Sequence, residues 1–134
     1  MPDISCLIVT YNNESTISGC IHSLIKDLNS HTSEIIVIDN QSEDATVSAI
    51  KVILKDNPEK IRLIENLFNF GFARAVNQGL TISKGKYVLI LNPDTVIHKG
   101  FFQTMVSFLD DKPDIGIAAP QHLNKAGEII PSCR

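Results

Sequence analysis

The sequence has 134 residues, 43% of them hydrophobic, and a formal net charge of -3 at pH 7. This length and composition fit one globular domain with a single core, and the mild acidity with scattered Lys and Arg argues against nucleic-acid binding. No apolar run reaches the roughly 18 to 20 residues that span a bilayer, and the first residues lack a signal-peptide pattern, so we expect a cytoplasmic protein.

The three cysteines are too few and odd in number for a disulfide framework. Cys6 and Cys20 fall on the apolar faces of their segments, which predicts buried thiols. Cys133 has no nearby His and shows no sign of being a nucleophile.

Short apolar runs alternate along the chain with segments of helical periodicity, which is typical of an α/β fold. Most of the runs are apolar on successive residues, as expected of parallel strands that are covered on both faces. The predicted strands are Ile4–Val9, Glu34–Ile38, Ile61–Ile64, Tyr87–Leu91 and Ile115–Ala119.

Four helices are predicted between these strands. The first spans Glu14–Leu28, and the second begins after Ser42, a plausible N-cap residue. The third runs from Phe72 to Lys84 and is ended by Gly85 in a left-handed conformation. The fourth spans Gly100–Leu109.

Polar side chains follow four of the predicted strands. In an open parallel sheet, the loops at the carboxyl ends of the strands bring side chains together around ligands. Each of these residues alone fits a turn or a cap equally well, but four strand ends of the same character favour a binding site. They are Thr10–Asn13, Asp39–Ser42, Asn66 with Asn69, and Asn92–Thr95.

Four motifs occur in register: "LIVTYNNESTISGCIHSL", "IIVIDNQSEDAT", "NFGFARAVNQG" and "YVLILNPDT". Together they resemble the nucleotide-sugar-dependent glycosyltransferases of family 2, and the resemblance covers essentially the whole chain. It implies the Rossmann-like GT-A fold, a mostly parallel sheet with helices on both faces. Residues 1–134 would then be the N-terminal nucleotide-sugar-binding part of a single, truncated transferase domain. The NPDT form and the "GEIIPSCR" terminus most resemble rhamnosyltransferases of bacterial surface polysaccharide synthesis.

The resemblance also implies a divalent cation, Mg²⁺ or Mn²⁺, because family members commonly hold one with an Asp-x-Asp motif after the fourth strand. Asn92-Pro93-Asp94 occupies this place, which makes Asp94 the expected metal ligand. Asn92 departs from the motif, so it would orient a ribose hydroxyl or a metal-bound water. Two alternatives stay open: Pro93-Asp94 as a simple turn, and His98 as either a third ligand or a surface residue.

For the nucleotide, Asp39 resembles the acid of the family that accepts a hydrogen bond from the imide N–H of uracil or thymine. Tyr11 would pack near the base and Thr10 would contact it, with Asn12 as a further binding residue. Arg74, on the first turn of the third helix, matches a position that often faces the nucleotide, although a solvated helix residue explains it equally well.

The implied partners are a UDP- or dTDP-sugar donor and a saccharide or lipid-linked saccharide acceptor. Inverting family members take the acceptor proton with an acid in the second half of the domain, which we expect beyond Arg134. The present chain is therefore expected to be inactive, and to form homodimers through an uncovered sheet edge. The parent protein could lie peripherally on the inner face of the membrane.

Two other functions remain open at this stage. One is a noncatalytic fragment that only binds a nucleotide sugar. The other is a receiver-like signalling domain, in which a strand-end Asp binds Mg²⁺ and accepts a phosphoryl group. That domain needs paired acids after the first strand and a Lys after the last, where this chain has Thr10–Asn12 and Pro120.

Overall fold

The structure is a computed structural model that describes residues 2–131, with the side chain of Asn29 left out. Cys133 therefore lies outside the described residues. The chain divides into two compact units, Met1–Lys99 and Gly100–Arg134. Within the described part of the chain, no helix is long and apolar enough to cross a membrane.

The first unit alternates strands and helices, as the sequence predicts. A single 3-10 turn, Leu28–Ser30, follows the first helix. The elements in chain order are β1 (Ile4–Thr10), α1 (Ile17–Asp27), β2 (Ser33–Asp39), α2 (Thr46–Asp56), β3 (Ile61–Glu65), α3 (Phe72–Ile82) and β4 (Tyr87–Leu91).

The four strands form one parallel sheet in the order β3-β2-β1-β4. Thr10 at the end of β1 pairs with Asp39 at the end of β2, and Ile8 pairs with Leu91 at the end of β4. Because crossovers between parallel strands are right-handed, the reversal of direction before β4 places α3 on the face opposite α1 and α2. The predicted parallel sheet with helices on both faces is confirmed.

The core of this unit lies on both faces of β1 and β2. All seven residues of β1 are buried, as the continuous apolar run predicts. Cys6 and Cys20 are buried free thiols, which confirms their prediction. On the face of the sheet that α3 covers, every second residue of β1 and β2 packs against this helix. The cluster consists of Leu7, Val9, Ile36, Ile38, Ala75 and Val76.

The role predicted for Gly85 is wrong. The third helix ends at Ile82, and its C-cap residue Ser83 is extended, with φ -68° and ψ 143°. Gly85 lies instead against the backbone of β1, where an added Cβ would be 2.4 Å from the nitrogen of Ser5. A glycine is needed at this position because two backbone segments approach closely, and its conformational freedom is not used.

The second helix also begins later than predicted, at Thr46, and Ser42 does not cap it. The Ser42 hydroxyl donates to Asp39 Oδ1 (2.5 Å) and accepts from the backbone N–H of Asn12 (2.9 Å). Asp44 receives the backbone N–H of Thr46 at 2.9 Å, so it satisfies a donor of the first turn. The prediction of Ser42 as the N-cap is wrong because its hydroxyl hydrogen-bonds to residues at the ends of β1 and β2 and not to the helix.

The second unit contains α4 (Phe101–Asp111) and a small antiparallel pair, β5 (His122–Leu123) with β6 (Ile129–Ile130). The predicted strand Ile115–Ala119 is wrong, since this segment is irregular and Ile117 is 93% exposed. An apolar run forms a strand only when a neighbour completes its hydrogen bonds, and none of the described residues pairs with it. The hairpin was missed because two-residue strands are too short to show a periodicity.

Candidate functional site

A polar crevice lies at the carboxyl edge of the parallel sheet in the first unit. The chain adds β2 and β3 on one side of β1 and then β4 on the other, so the switch point of the sheet lies between β1 and β4. The crevice has a volume of about 240 Å³ at this point. It is lined by Val9, Thr10, Tyr11, Asn13, Asn40, Asn69, Phe72, Asn92 and Pro93.

Three of the predicted site residues, Thr10, Tyr11 and Asn92, line this crevice directly. Asp94 follows the lining residue Pro93 in the chain and is exposed. The structure thus brings together the ends of β1 and β4, as the strand-end pattern predicts. Asn12, Asp39 and Arg74 lie outside the lining, and each has contacts within the protein.

Asp39 is only 2% exposed, and its carboxylate is held by three hydrogen bonds. Oδ1 accepts from the hydroxyls of Thr10 (3.1 Å) and Ser42 (2.5 Å), and Oδ2 accepts from the backbone N–H of Ser42 (2.8 Å). A buried carboxylate needs such partners, because burial without hydrogen bonds is costly. A carboxylate has about four acceptor positions, so these three hydrogen bonds do not use all of them.

Asn12 fastens the loop after β1 to the loop after β2. Its φ of 55° is left-handed, a conformation that asparagine tolerates better than most residues. Its Oδ1 accepts from the backbone N–H of Glu43 at 2.8 Å, and its own N–H donates to Ser42 Oγ at 2.9 Å. The side-chain oxygen of Asn12 is therefore used within the protein.

Tyr11 projects from the loop that these bonds hold. Its backbone N–H donates to Asn13 Oδ1 (2.9 Å), and the N–H of Asn13 donates to Thr46 Oγ1 (2.8 Å). The Tyr11 side chain remains 48% exposed. A rigid loop thus presents an accessible aromatic ring beside the crevice, where a planar ligand could stack on it.

A row of side-chain amides begins at the crevice-lining residue Asn40, and the sequence did not predict its pairing. Asn40 is 2% exposed; its Nδ2 donates to the carbonyl of Gly71 (3.2 Å), and its Oδ1 accepts from Asn66 (2.9 Å). Asn66 and Gln78 exchange two bonds of 3.0 and 2.8 Å. Asn40 could be noticed as a polar strand end, but nothing in the local sequence of α3 distinguishes Gln78.

Asp94 differs from Asp39 in having no partner. Among residues 2–131 its carboxylate makes no hydrogen bond and no ion pair, and the Asn92 side chain beside it is exposed. The described part of the chain also contains no group of three His, Cys, Asp or Glu side chains able to hold an ion, so a three-ligand site including His98 is not formed. The site offers one free carboxylate and not a complete metal cage.

Arg74 lies over an aromatic ring of the preceding loop. Its guanidinium carbon is 4.4 Å from the ring centroid of Phe70, a cation–π contact on an exposed part of the molecule. Arg74 is outside the crevice lining in this arrangement.

Cys20 lies beneath the loop that carries Asp94. Burial, and to a lesser extent the charge of Asp94, raises the pKa of the Cys20 thiol to about 12. Burial likewise raises the pKa of Cys6, with a smaller contribution from Cys20. Both thiols are therefore protonated at neutral pH, and neither has the thiolate character of a nucleophile.

The parallel sheet, with a polar crevice at its switch point, has the doubly wound α/β architecture in which ligands commonly bind at this edge. The sequence profile of glycosyl transferase family 2 matches residues 5–129, and the chain belongs to this family. The resemblance to family 2 seen in the motifs is confirmed, and the receiver-like alternative is wrong.

Two solved structures share the fold. A mannosyltransferase from Pyrobaculum calidifontis, PcManGT, in complex with GDP-Man and Mn²⁺ is 25% identical, with a TM-score of 0.75; the match covers 83% of this chain and 33% of that one. S. aureus TarS 1-349 in complex with UDP-GlcNAc is 25% identical, with a TM-score of 0.72, over 92% of this chain and 38% of that one. The sheet and helices are those of the GT-A glycosyltransferases.

A relative from Haemophilus influenzae, an uncharacterized glycosyltransferase, is 32% identical over 114 residues. The match covers 85% of this chain and 35% of the relative. The chain therefore spans about a third of the length of this relative.

Proposed function

We propose that the crevice binds the donor of a sugar transfer, a nucleoside diphosphate sugar, for a parent glycosyltransferase of bacterial surface polysaccharide synthesis. The observation that carries this proposal is the contrast between the two strand-end acids. Asp39 is buried and fixed by hydrogen bonds, whereas Asp94 is exposed beside the crevice and makes no hydrogen bond or ion pair with any described residue. The complexes of PcManGT with GDP-Man and of TarS with UDP-GlcNAc support a donor of this chemical class.

The residues fit a divalent cation that is shared with the donor. Mg²⁺ is commonly held by one or two carboxylates together with substrate phosphates, and a single free Asp94 suits such a site. Asn92 would contribute through a metal-bound water or contact the ribose. The bound ion would supply neutralisation of the diphosphate charge, and the Mn²⁺ in the PcManGT complex supports Mg²⁺ or Mn²⁺ as the metal.

Base recognition would fall to Asp39 and Tyr11. The remaining acceptor position of the Asp39 carboxylate could take the imide N–H of uracil or thymine, while the exposed Tyr11 ring packs on the base. Thr10 would contact the base from the crevice wall, and Arg74 would approach the nucleotide. Asn12 would act mainly by holding the loop.

UDP and dTDP are accordingly expected to bind more tightly than GDP. A purine has a larger ring system, and a base site formed by Tyr11 and Asp39 would favour the smaller pyrimidine ring. Calorimetric titration of the three nucleotides in Mn²⁺ measures the preference directly. Tighter binding of GDP would show that the base slot is misassigned, even if the diphosphate site is correct.

For the parent protein, we propose inverting transfer to a saccharide or lipid-linked saccharide, with a rhamnosyl residue as the favoured sugar. The acid that deprotonates the acceptor hydroxyl would lie outside this chain. General-base removal alone typically lowers rates by about a hundred- to ten-thousandfold. The present chain would therefore bind the donor without transferring it.

The isolated chain is also expected to self-associate. β4 is an edge strand of the parallel sheet, and its Val88 and Ile90 are 39% and 47% exposed. Exposed edges and apolar side chains favour pairing with a second copy. Sedimentation at micromolar concentration should show a dimer or larger species, and an assay with donor and acceptor should show no transfer. A monomer that transfers sugar would contradict both expectations.

A further inference from the structure

The loop that carries Asp94 is fastened to α1 at both of its ends. This loop, residues 92–97, contains no helix or strand and is called the metal loop below. The thiol of Cys20 donates to the carbonyl of Asn92, with a sulfur–oxygen distance of 3.7 Å. The backbone N–H of Ile97 donates to Ser23 Oγ at 3.0 Å. Asp94 lies between the two anchors.

The two anchoring side chains are themselves well fixed. Cys20 and Ser23 are three residues apart on α1 and therefore lie on one face of the helix. The Ser23 hydroxyl also donates to the carbonyl of Cys20 at 2.8 Å, so it acts as donor and acceptor at once. Cys20 is fully buried, which leaves its thiol no water to bind in place of Asn92.

The conformation between the anchors is set by one further bond. The backbone N–H of Thr95 donates to the carbonyl of Asn92 at 3.2 Å, which closes a turn around Pro93 and Asp94. The Asp94 side chain has no partner of its own among the described residues. Its carboxylate is therefore positioned only through the backbone of this turn.

We propose that Cys20 and Ser23 are positioning residues that hold the metal loop, so that Asp94 is presented to a cation bound together with a nucleoside diphosphate. The inference rests on the proposed function, since it presumes that Asp94 is the metal ligand. A ligand must be held within about 0.5 Å of its productive place, and a site with one protein carboxylate has no second one to compensate. Residues that orient metal ligands typically contribute about 10- to 100-fold in metal affinity.

The competing explanation is that both residues merely pack α1 against the sheet. That explanation predicts a loss of overall stability with no selective effect on the metal loop or on metal affinity.

The test uses Ser23→Ala, at a partly exposed position where the protein should still fold. Hydrogen exchange of the metal-free protein should show faster exchange of the Ile97 and Thr95 amides than in the wild type. Titration of Mn²⁺ at a fixed, saturating UDP concentration should show metal affinity lowered about tenfold. UDP affinity in EDTA should stay within about twofold, because the base contacts are untouched.

Three further variants separate a role in positioning the metal loop from a general effect on the protein. Ser23→Thr keeps the hydroxyl and should restore both readouts, and Ser48→Ala, at an exposed position on α2, should change neither. Cys20→Ala removes the other anchor and, like Ser23→Ala, should lower metal affinity. Thermal unfolding of each variant separates this effect from a general loss of stability.

The outcomes distinguish this inference from the proposed function. If the wild type binds UDP equally with and without Mn²⁺, the metal site itself is wrong and the positioning role is overturned with it. If the wild type needs the metal but Ser23→Ala matches it in metal affinity, only the positioning role is overturned. Faster exchange in the metal loop with unchanged metal affinity would also overturn it.

Discussion

Replacing Asp94 with asparagine is expected to weaken UDP binding in Mn²⁺ by about 10- to 100-fold, since a charged contact contributes about 1.5–3 kcal/mol. The substitution preserves the size of the side chain and removes only its negative charge. Asp94 has no hydrogen bond among the described residues that asparagine would break, so folding should be unaffected. Calorimetry of both proteins in Mn²⁺ and in EDTA measures the effect.

The comparison in EDTA is the control for this prediction. Without the ion, Asp94→Asn and the wild type should bind UDP with similar affinity, and Asp56→Asn at an exposed site should behave as the wild type in both conditions. An equal loss with and without metal would mean that Asp94 shapes the loop and does not hold the ion.

Gly85→Ala is expected to lower the free energy of unfolding by about 1–3 kcal/mol, the usual range for overpacking. The new Cβ would meet the backbone of β1, 2.4 Å from the Ser5 nitrogen and 2.7 Å from the Ile4 carbonyl carbon. Backbone in the centre of a sheet cannot move aside as a flexible side chain would. Urea denaturation of the two proteins provides the measurement.

Gly19→Ala is the matched control for that substitution. Gly19 lies inside α1, and an added Cβ would meet nothing within 4 Å. Alanine there should stabilise the protein by about 0.5–1 kcal/mol, because glycine loses more conformational entropy in a helix. A Gly85→Ala protein as stable as the wild type would show that the loop before β4 can move away from β1.

Much of the first unit could be predicted from the sequence because its signals are local. The continuous apolar run of β1 and the period of α1 report burial directly, and the chain order of strands and helices sets a parallel sheet. The start of α1 is harder to place, because the sequence predicts a start at Glu14 while residues 13–16 form a turn before Ile17.

Features that depend on distant partners could not be predicted. The role of Gly85 depends on Ser5, which is far away in sequence, and the run at Ile115–Ala119 is apolar but finds no neighbouring strand among the described residues. Ser42 does not cap the helix because its hydroxyl hydrogen-bonds to the backbone N–H of Asn12 and to the carboxylate of Asp39 instead. Local propensity yields to such tertiary contacts.

The polar residues at the strand ends predict where the crevice lies. They do not predict which of these residues the protein holds in place and which are accessible to a ligand. Asp39 and Asp94 look alike in the sequence, each following an apolar strand. Only the three-dimensional arrangement shows that one carboxylate is held by Thr10 and Ser42, while the other is exposed and has no hydrogen-bond partner within residues 2–131. The same holds for Asn12, which the resemblance assigned to the ligand and the structure ties to Glu43.

The central claim is that a divalent cation binds at Asp94 together with a nucleoside diphosphate in the crevice between β1 and β4. Paramagnetic broadening of backbone amide signals by substoichiometric Mn²⁺, with UDP present, tests it most directly. We expect the amides of Asp94 and Thr95 to broaden first, followed by those at the ends of β1 and β4, and the effect to be much weaker without UDP. Broadening centred on other acidic residues, or the same pattern with and without UDP, would contradict the account.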